Sequence, residues 1–204
     1  MIKIKKVLSV VGISFLAITL AGCSSNNKSS DSNTLTKTEQ QKKAFKEKYD
    51  EIKLGDISEK GNGGASITET TELLGKPKST ETTSVNGLKV KTIGWKTSGA
   101  ILVVQFYNKK AITKTINNFK WEKAPNKLTL KTYNKIKENS SYTSLVKKYG
   151  QPDTLNDNIV MGKKNKVALY QTKTKSKSDN NSNRATFVFS DNKLISKTQV
   201  ELDK

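Results

Sequence analysis

One stretch of this chain occurs twice, and the repetition limits the folds open to it more than any other feature does. Phe106-Tyr107-Asn108-Lys109-Lys110-Ala111-Ile112-Thr113-Lys114-Thr115 is matched 83 residues later by Phe189-Ser190-Asp191-Asn192-Lys193-Leu194-Ile195-Ser196-Lys197-Thr198. Each copy reads as two short strands joined at a turn, with Asn, Asp and Lys as the turn residues. A chain that repeats itself at this spacing is read as two copies of one supersecondary unit before any other fold is considered.

The match continues upstream with changed offsets. Trp95 corresponds to Tyr170, Gly87 to Gly162, Pro77 to Pro152 and Gly75 to Gly150, all at 75 residues, while Tyr49 and Ile52 correspond to Tyr133 and Ile136 at 84. Each change of offset marks an insertion. Nine residues, about Ile57 to Ala65, are extra in the first copy, and eight within Lys173 to Arg184 are extra in the second. Both insertions are rich in Gly, Ser, Asn, Asp or Lys, the composition of surface loops. Gaps confined to loops are what a true register leaves.

Taken in order, each copy runs helix, helix, then antiparallel strands. From about Thr38 to Lys53, Ala44, Phe45, Tyr49 and Ile52 recur at helical spacing, and Gly55 is expected to end that helix. Ser66 heads a capping box with Glu69, opening a short helix that runs to Leu73 and Leu74 before Gly75 and Pro77. Strands are predicted over residues 80–85, 88–97, 100–107 and 111–119, with Asn86-Gly87 as a hairpin turn. Leu102, Val104 and Phe106 form the expected core face; Val103, Gln105 and Tyr107 point the other way. After a connection at residues 122–127, the second copy places Leu130, Tyr133 and Ile136 on a short helix. A second helix capped near Ser141 carries Leu145, Val146 and Tyr149 to Gly150. Its strands include residues 167–172, 185–189 and 193–201, with Phe187 and Phe189 in the inward places of Val104 and Phe106. The loop 173–184 has no apolar residue at all and is expected to be mobile.

The first residues set the compartment. Lys3, Lys5 and Lys6 precede a mostly apolar run from Val7 to Leu20, the pattern of a secretory leader and too short for a spanning helix. Leu20-Ala21-Gly22-Cys23 resembles the lipobox of bacterial lipoproteins. The resemblance implies cleavage before Cys23, acylation of its thiol, and a mature protein lipid-anchored at the cell membrane and facing the extracellular side. Residues 24–40 are Ser, Asn, Thr and Lys with Leu35 as the single aliphatic side chain, and read as a tether. The domain plan is therefore residues 1–22 leader, 23–40 lipidated cysteine and tether, 41–121 first repeat and 128–204 second repeat.

Composition removes whole classes of chemistry. The chain contains no histidine and one cysteine, so histidine-dependent catalytic triads, imidazole ligation and intramolecular disulfides are unavailable. No cofactor or metal is expected. Gly61-Asn62-Gly63-Gly64 lacks the Lys-Ser/Thr that a phosphate loop requires. The carboxylate pairs Asp50/Glu51 and Asp153/Asp157 fall on an amphipathic helix and in a polar loop, where they read as solvated. The formal charge of +19 becomes +16 without residues 1–22, which favours anionic neighbours such as acidic lipid or envelope polymer. What remains is a binding surface, with Trp95, Tyr107 and Tyr170 as half-exposed anchors for a partner.

Two helices followed by a four-stranded antiparallel sheet, twice over, resemble the beta-lactamase-inhibitor-protein fold. The residues that carry this are Tyr49-x-x-Ile52-x-x-Gly55, Leu73-Leu74-Gly75-Lys76-Pro77, and Trp95 ahead of Val104-x-Phe106-x-Asn108-Lys109-Lys110. In the second copy they are Tyr133-x-x-Ile136, Tyr149-Gly150-Gln151-Pro152, Tyr170 and Phe187-x-Phe189. The Leu-Gly-x-Pro signature is also similar to outer-membrane-assembly lipoproteins of the SmpA/OmlA group. With the glycine loop before it, it is similar to uncharacterised Gram-positive lipoproteins with this domain. The resemblance implies an α+β protein of two tandem units whose sheets form one concave face that grips an envelope or extracellular protein. Its function is then that of a non-enzymatic binding module. Electrostatic attachment to an anionic envelope polymer or lipid, and inhibition of a secreted hydrolase, are the alternatives.

Overall fold

The computed structural model describes residues 35–85, 87–172 and 183–203. The leader, Cys23, most of the tether, Asn86 and most of the 173–184 loop lie outside the described residues. The first helix, α1 (Lys37–Glu51), starts inside the segment read as tether. The reason is local: Thr36 Oγ1 accepts from the Glu39 amide, and the Glu39 carboxylate accepts from the Thr36 amide at 2.7 Å. Such a cap adds about 1 kcal/mol. Phe45 and Tyr49, one turn apart, are the buried apolar residues of α1, whereas Ala44 is exposed. The helix also stops at Glu51, four residues before the expected Gly55. Its end is set from a distance, by a lysine described below.

A 3-10 turn (Ile57–Glu59) and α2 (Ile67–Leu74) follow. Ser66 and Glu69 form the predicted capping box, and Gly75 takes φ +82° at the end of α2, a conformation in which a Cβ is strained. The strands are β1 (Ser79–Val85), β2 (Leu88–Thr97), β3 (Ala100–Tyr107) and β4 (Lys110–Asn117). Then come α3 (Leu130–Asn134), α4 (Tyr142–Tyr149), β5 (Thr154–Val160), β6 (Lys163–Thr172), β7 (Asn183–Ser190) and β8 (Lys193–Val200).

All eight strands form one open antiparallel sheet in the order β1 to β8. Asn108-Lys109 and Asp191-Asn192 turn their hairpins with positive φ at both positions, as does Met161-Gly162. This geometry matches the strand twist. The join between the groups of strands is β4 on β5, running from Thr113 opposite Asn158 to Asn117 opposite Thr154.

One face of the sheet meets the helices. Leu102, Val104, Phe106, Phe187 and Phe189 are buried there in a single cluster with Phe45, Tyr49, Tyr133, Leu145 and Tyr149. Each such side chain contributes about 1.5–3 kcal/mol relative to exposure. The core positions expected from strand alternation are therefore the observed ones. Asp157, read as part of a polar loop, instead lies in β5, pointing to this helix-covered face opposite Lys114 and Lys166.

Candidate functional site

Trp95 and Tyr170 are buried, 2% and 3% exposed, rather than half-exposed as expected. Register explains this. Trp95 stands opposite Leu102, and Tyr170 opposite Ala185, on the helix-covered face. Their polar atoms are also engaged: Trp95 Nε1 donates to Gly75 O at 2.8 Å, and Tyr170 Oη donates to Gly150 O at 2.9 Å. Each aromatic residue thus fastens the glycine that ends the preceding helix. Tyr107, on the opposite face, is half-buried.

Two lysines that sequence reading passed over have a matching pair of roles. Lys114 Nζ donates to the carbonyls of Tyr49 and Ile52 at 2.8 and 2.9 Å, and lies 4.6 Å from the centre of the Tyr49 ring. Lys197 Nζ donates to the carbonyls of Tyr133 and Ile136 at 2.8 and 2.7 Å, 4.5 Å from the Tyr133 ring. Both cap a helix C-terminus, where the backbone leaves carbonyls without partners and favours a cation. Burial lowers the Lys114 pKa to about 8, against the opposing pull of Asp157 and Asp50 and with a further push from Lys166 and Lys46. A lysine at the same place in both copies of the repeated stretch was the available signal.

The second face of the sheet has a different chemistry. One row across β2 to β7 reads Thr92, Gln105, Thr113, Asn158, Asn165 and Ser190. The next reads Gly94, Val103, Thr115, Asn156, Val167 and Val188, and the third Lys96, Ile101, Asn117, Thr154, Leu169 and Thr186. Lys96, at the margin, is the one charged residue in the three rows, in a chain with a net charge of +19. The helix-covered face by contrast carries Lys91, Lys114, Asp157, Lys166 and Lys197. On the second face, amides and hydroxyls bond to one another across the β4–β5–β6 join. Asn156 Nδ2 donates to Thr115 Oγ1 at 2.7 Å, Thr154 Oγ1 to Asn117 Oδ1 at 2.8 Å, and Asn165 Nδ2 to Asn158 Oδ1 at 3.2 Å. This network is a reason β5, rich in residues that disfavour strands, forms one.

The glycine loop is a structural clasp. The Asp56 carboxylate accepts from Ser58 N and Oγ, and from the amides of Met161 and Gly162 in the β5–β6 turn. Burial alone would raise its pKa, but the bonds from Ser58, Gly162 and Met161 outweigh that and hold it below the usual aspartate value. A Cβ on Gly64 would come within 2.4 Å of Ala111 O, and one on Gly55 within 2.0 Å of Gly61 O. Close backbone approach is what these glycines permit.

The acidic pairs have partners of their own. Asp50 pairs with Lys46 at 2.6 Å, Asp153 with Lys120 at 2.7 Å and Asp157 with Lys166 at 2.5 Å. Among the described residues, no three His, Cys, Asp or Glu side chains converge as a metal ion would need.

These features define a mixed α/β scaffold built on one open antiparallel sheet, with its helices on one face and an uncharged field on the other. The chain belongs to the DUF3862 family, a domain of unknown function with a solved structure, whose model matches residues 41–202. Among solved structures, the chain is similar to a Streptococcus mutans protein, provisionally designated a beta-lactamase inhibitor protein, whose crystal structure was determined at 1.40 Å. The two share 25% identity with a TM-score of 0.58, over 78% of this chain and 97% of the other. No curated protein matches the chain.

Proposed function

We propose that the chain is a non-enzymatic protein-binding module that grips its partner with the second, concave face of the sheet. The observation that carries this reading is the near-absence of charge from the three central rows of that face over β2 to β7, with Glu81, Lys96, Lys110, Lys163, Arg184 and Lys193 around them. Depletion of charged residues at the centre and their retention at the rim is the compositional mark of protein interfaces. Three rows on six strands about 4.8 Å apart span on the order of 500 Å², and with the charged rim around them the patch approaches the roughly 800 Å² that one partner of a standard interface contributes. Tyr107 stands one row outside this field, between Val90 and Lys110, as an aromatic anchor at its margin. The similarity to a protein provisionally designated an inhibitor makes a secreted hydrolase one candidate partner.

The platform is read as the product of duplication. Supporting this, Gly55 N donates to Ala111 O and Ala111 N to Ala65 O, both at 2.8 Å, while Asn139 N donates to Leu194 O and Leu194 N to Ser140 O, both at 2.9 Å. The Lys114/Lys197 and Trp95/Tyr170 pairs follow the same offsets. Acylation of Cys23 and a tether ending near residue 35 would hold the module at the outer surface of the membrane. Cys23→Ser should then release the protein into the medium.

A photo-crosslinking residue placed at Gln105 or Val167, on the second face, should form a protein adduct on intact cells. The same residue at Lys131 or Lys147, on the helices, should form none, and Val103→Lys should abolish the Gln105 adduct. Equal labelling from both sides would remove the second face as the contact surface.

A further inference from the structure

The sheet is open, so β1 and β8 each have one edge with no strand beside it. These edges are the repeat equivalents of the two strands that meet at the centre. β1 (Ser79–Val85) and β5 (Thr154–Val160) match end for end at an offset of 75 residues, and β4 (Lys110–Asn117) and β8 (Lys193–Val200) at 83. Ile195 and Val200, 52% and 38% exposed, are two of the three exposed large apolar side chains among the described residues. Glu201 takes φ +48°, as Asn118 takes +55° at the equivalent place after β4. The Asn118 amide donates to Asp153 O across the β4–β5 join at 2.9 Å, whereas the Glu201 amide has no acceptor among the described residues. Lysine, proline and bulges commonly protect a free edge. β1 has neither lysine nor proline. On β8, Lys193 lies at the turn, and the Lys197 ammonium is tied to the carbonyls of Tyr133 and Ile136.

We propose that β8 of one copy of the chain pairs with β1 of a second copy, repeating the β4–β5 join head to tail. The central register runs from Thr113 opposite Asn158 to Asn117 opposite Thr154. Carried over by the two offsets, it sets Ser196 opposite Thr83 of the second copy and Val200 opposite its Ser79. Thr198 then faces Glu81 of the second copy, where Thr115 accepts from Asn156 in the central join, and its hydroxyl can donate to that carboxylate. No like charges stand opposite each other, which favours the pairing. The Glu201 amide gains Lys78 O of the second copy as its acceptor. The Asp56 clasp has no counterpart in the second group of strands, so the contact is weaker than the β4–β5 join and depends on concentration. A heterologous contact of this kind extends into a row or closes into a ring. The inference rests on the repeat offsets and stands apart from the choice of the second face as a protein-binding surface.

The test uses the full chain carrying Cys23→Ser, which leaves no cysteine. Thr198→Cys and Glu81→Cys, at exposed positions, are oxidised separately and as a mixture. The mixture should form disulfide-linked dimers several-fold faster than either variant alone. Within one chain the two positions are seven strand spacings apart, about 34 Å along the sheet, too far for a disulfide. The double variant should therefore give a ladder of dimers, trimers and longer species. In sedimentation velocity without cysteines, Thr198→Glu should weaken self-association roughly threefold and Thr198→Lys strengthen it by a similar factor, through Glu81 of the second copy. General repulsion between chains of net charge +19 predicts the reverse order. Both substitutions are at an exposed site, so melting temperatures should be unchanged. A sedimentation coefficient independent of concentration, either cysteine variant cross-linking alone as fast as the mixture, or Thr198→Glu associating as well as Thr198→Lys would each overturn the proposal. Adducts to another protein from Gln105 depend on none of these outcomes, so the two readings fail separately.

Discussion

Lys114 stacks its ammonium over the ring of Tyr49 and donates to the carbonyl of the same residue, so one side chain holds both the end of α1 and its largest core residue. Tyr49 returns a long hydrogen bond from Oη to Lys114 O at 3.4 Å. The two residues are 65 positions apart, and their contact ties α1 to the strand at the middle of the sheet.

That contact predicts an alkaline stability profile. The folded pKa of Lys114 is about 8 and its ordinary value 10.5, so between these values the unfolded chain binds more protons and stability rises with pH. Below pH 8 both states are protonated and the burial penalty, about 3 kcal/mol for a shift of this size, is fully present. Above pH 10 the direction reverses, because burial raises the pKa values of Tyr49, Tyr142 and Tyr170 and the unfolded tyrosines ionise first. Denaturant titrations should show a maximum near pH 10. Lys114→Met should abolish the rise from pH 8 and, by orphaning carbonyls of Tyr49 and Ile52, lower stability at pH 7 by about 2 kcal/mol.

Trp95 and Tyr170 should behave as structural residues. Tyr170→Phe removes the bond to Gly150 O and is expected to cost about 1 kcal/mol. Trp95→Ala removes a buried aromatic and is expected to cost about 3–5 kcal/mol. Thermal denaturation distinguishes this from the surface role read from sequence, which predicts no change in melting temperature.

The glycine loop offers a paired test. Gly63→Ala meets no atom within 4 Å but sits at φ +79°, a cost of about 1–2 kcal/mol. Gly64→Ala would drive a Cβ into Ala111 O and Gly55 N, so backbone must move. Chemical denaturation should find Gly64→Ala the worse by at least about 2 kcal/mol.

Asp56→Ala should expose the amides of Met161 and Gly162 to faster hydrogen exchange and lower stability by about 2–3 kcal/mol. The folded pKa is depressed, so the contribution is fully present above the ordinary aspartate value of 3.8 and is lost as pH falls through the folded value. Asp56→Ala should flatten stability below pH 4.

Local signals carried much of the fold. Ser66 with Glu69, Gly75, Gly150 and the Asn108-Lys109 turn each act through neighbours a few residues away, and each was legible. The alternation in β3 also placed Val104 and Phe106 correctly. What was hidden depends on contacts between distant residues. The end of α1 is fixed by a lysine from β4, the Asn-rich β5 by hydroxyls and amides on strands beside it, and the faces of Trp95 and Tyr170 by register across hairpins. The uncharged second face was invisible for the same reason: its members are scattered over six strands, and they become neighbours only once the register is known.

The Asp56 clasp gives the molecule a direction. Its nine-residue loop belongs to the amino-terminal half, yet the amides it satisfies belong to the other. Two halves of the carboxy-terminal kind joined head to tail would leave a turn with no acceptor, and reversing their order would strand the loop at a free edge. The two groups of strands are therefore complementary parts of one sheet that could not exchange places.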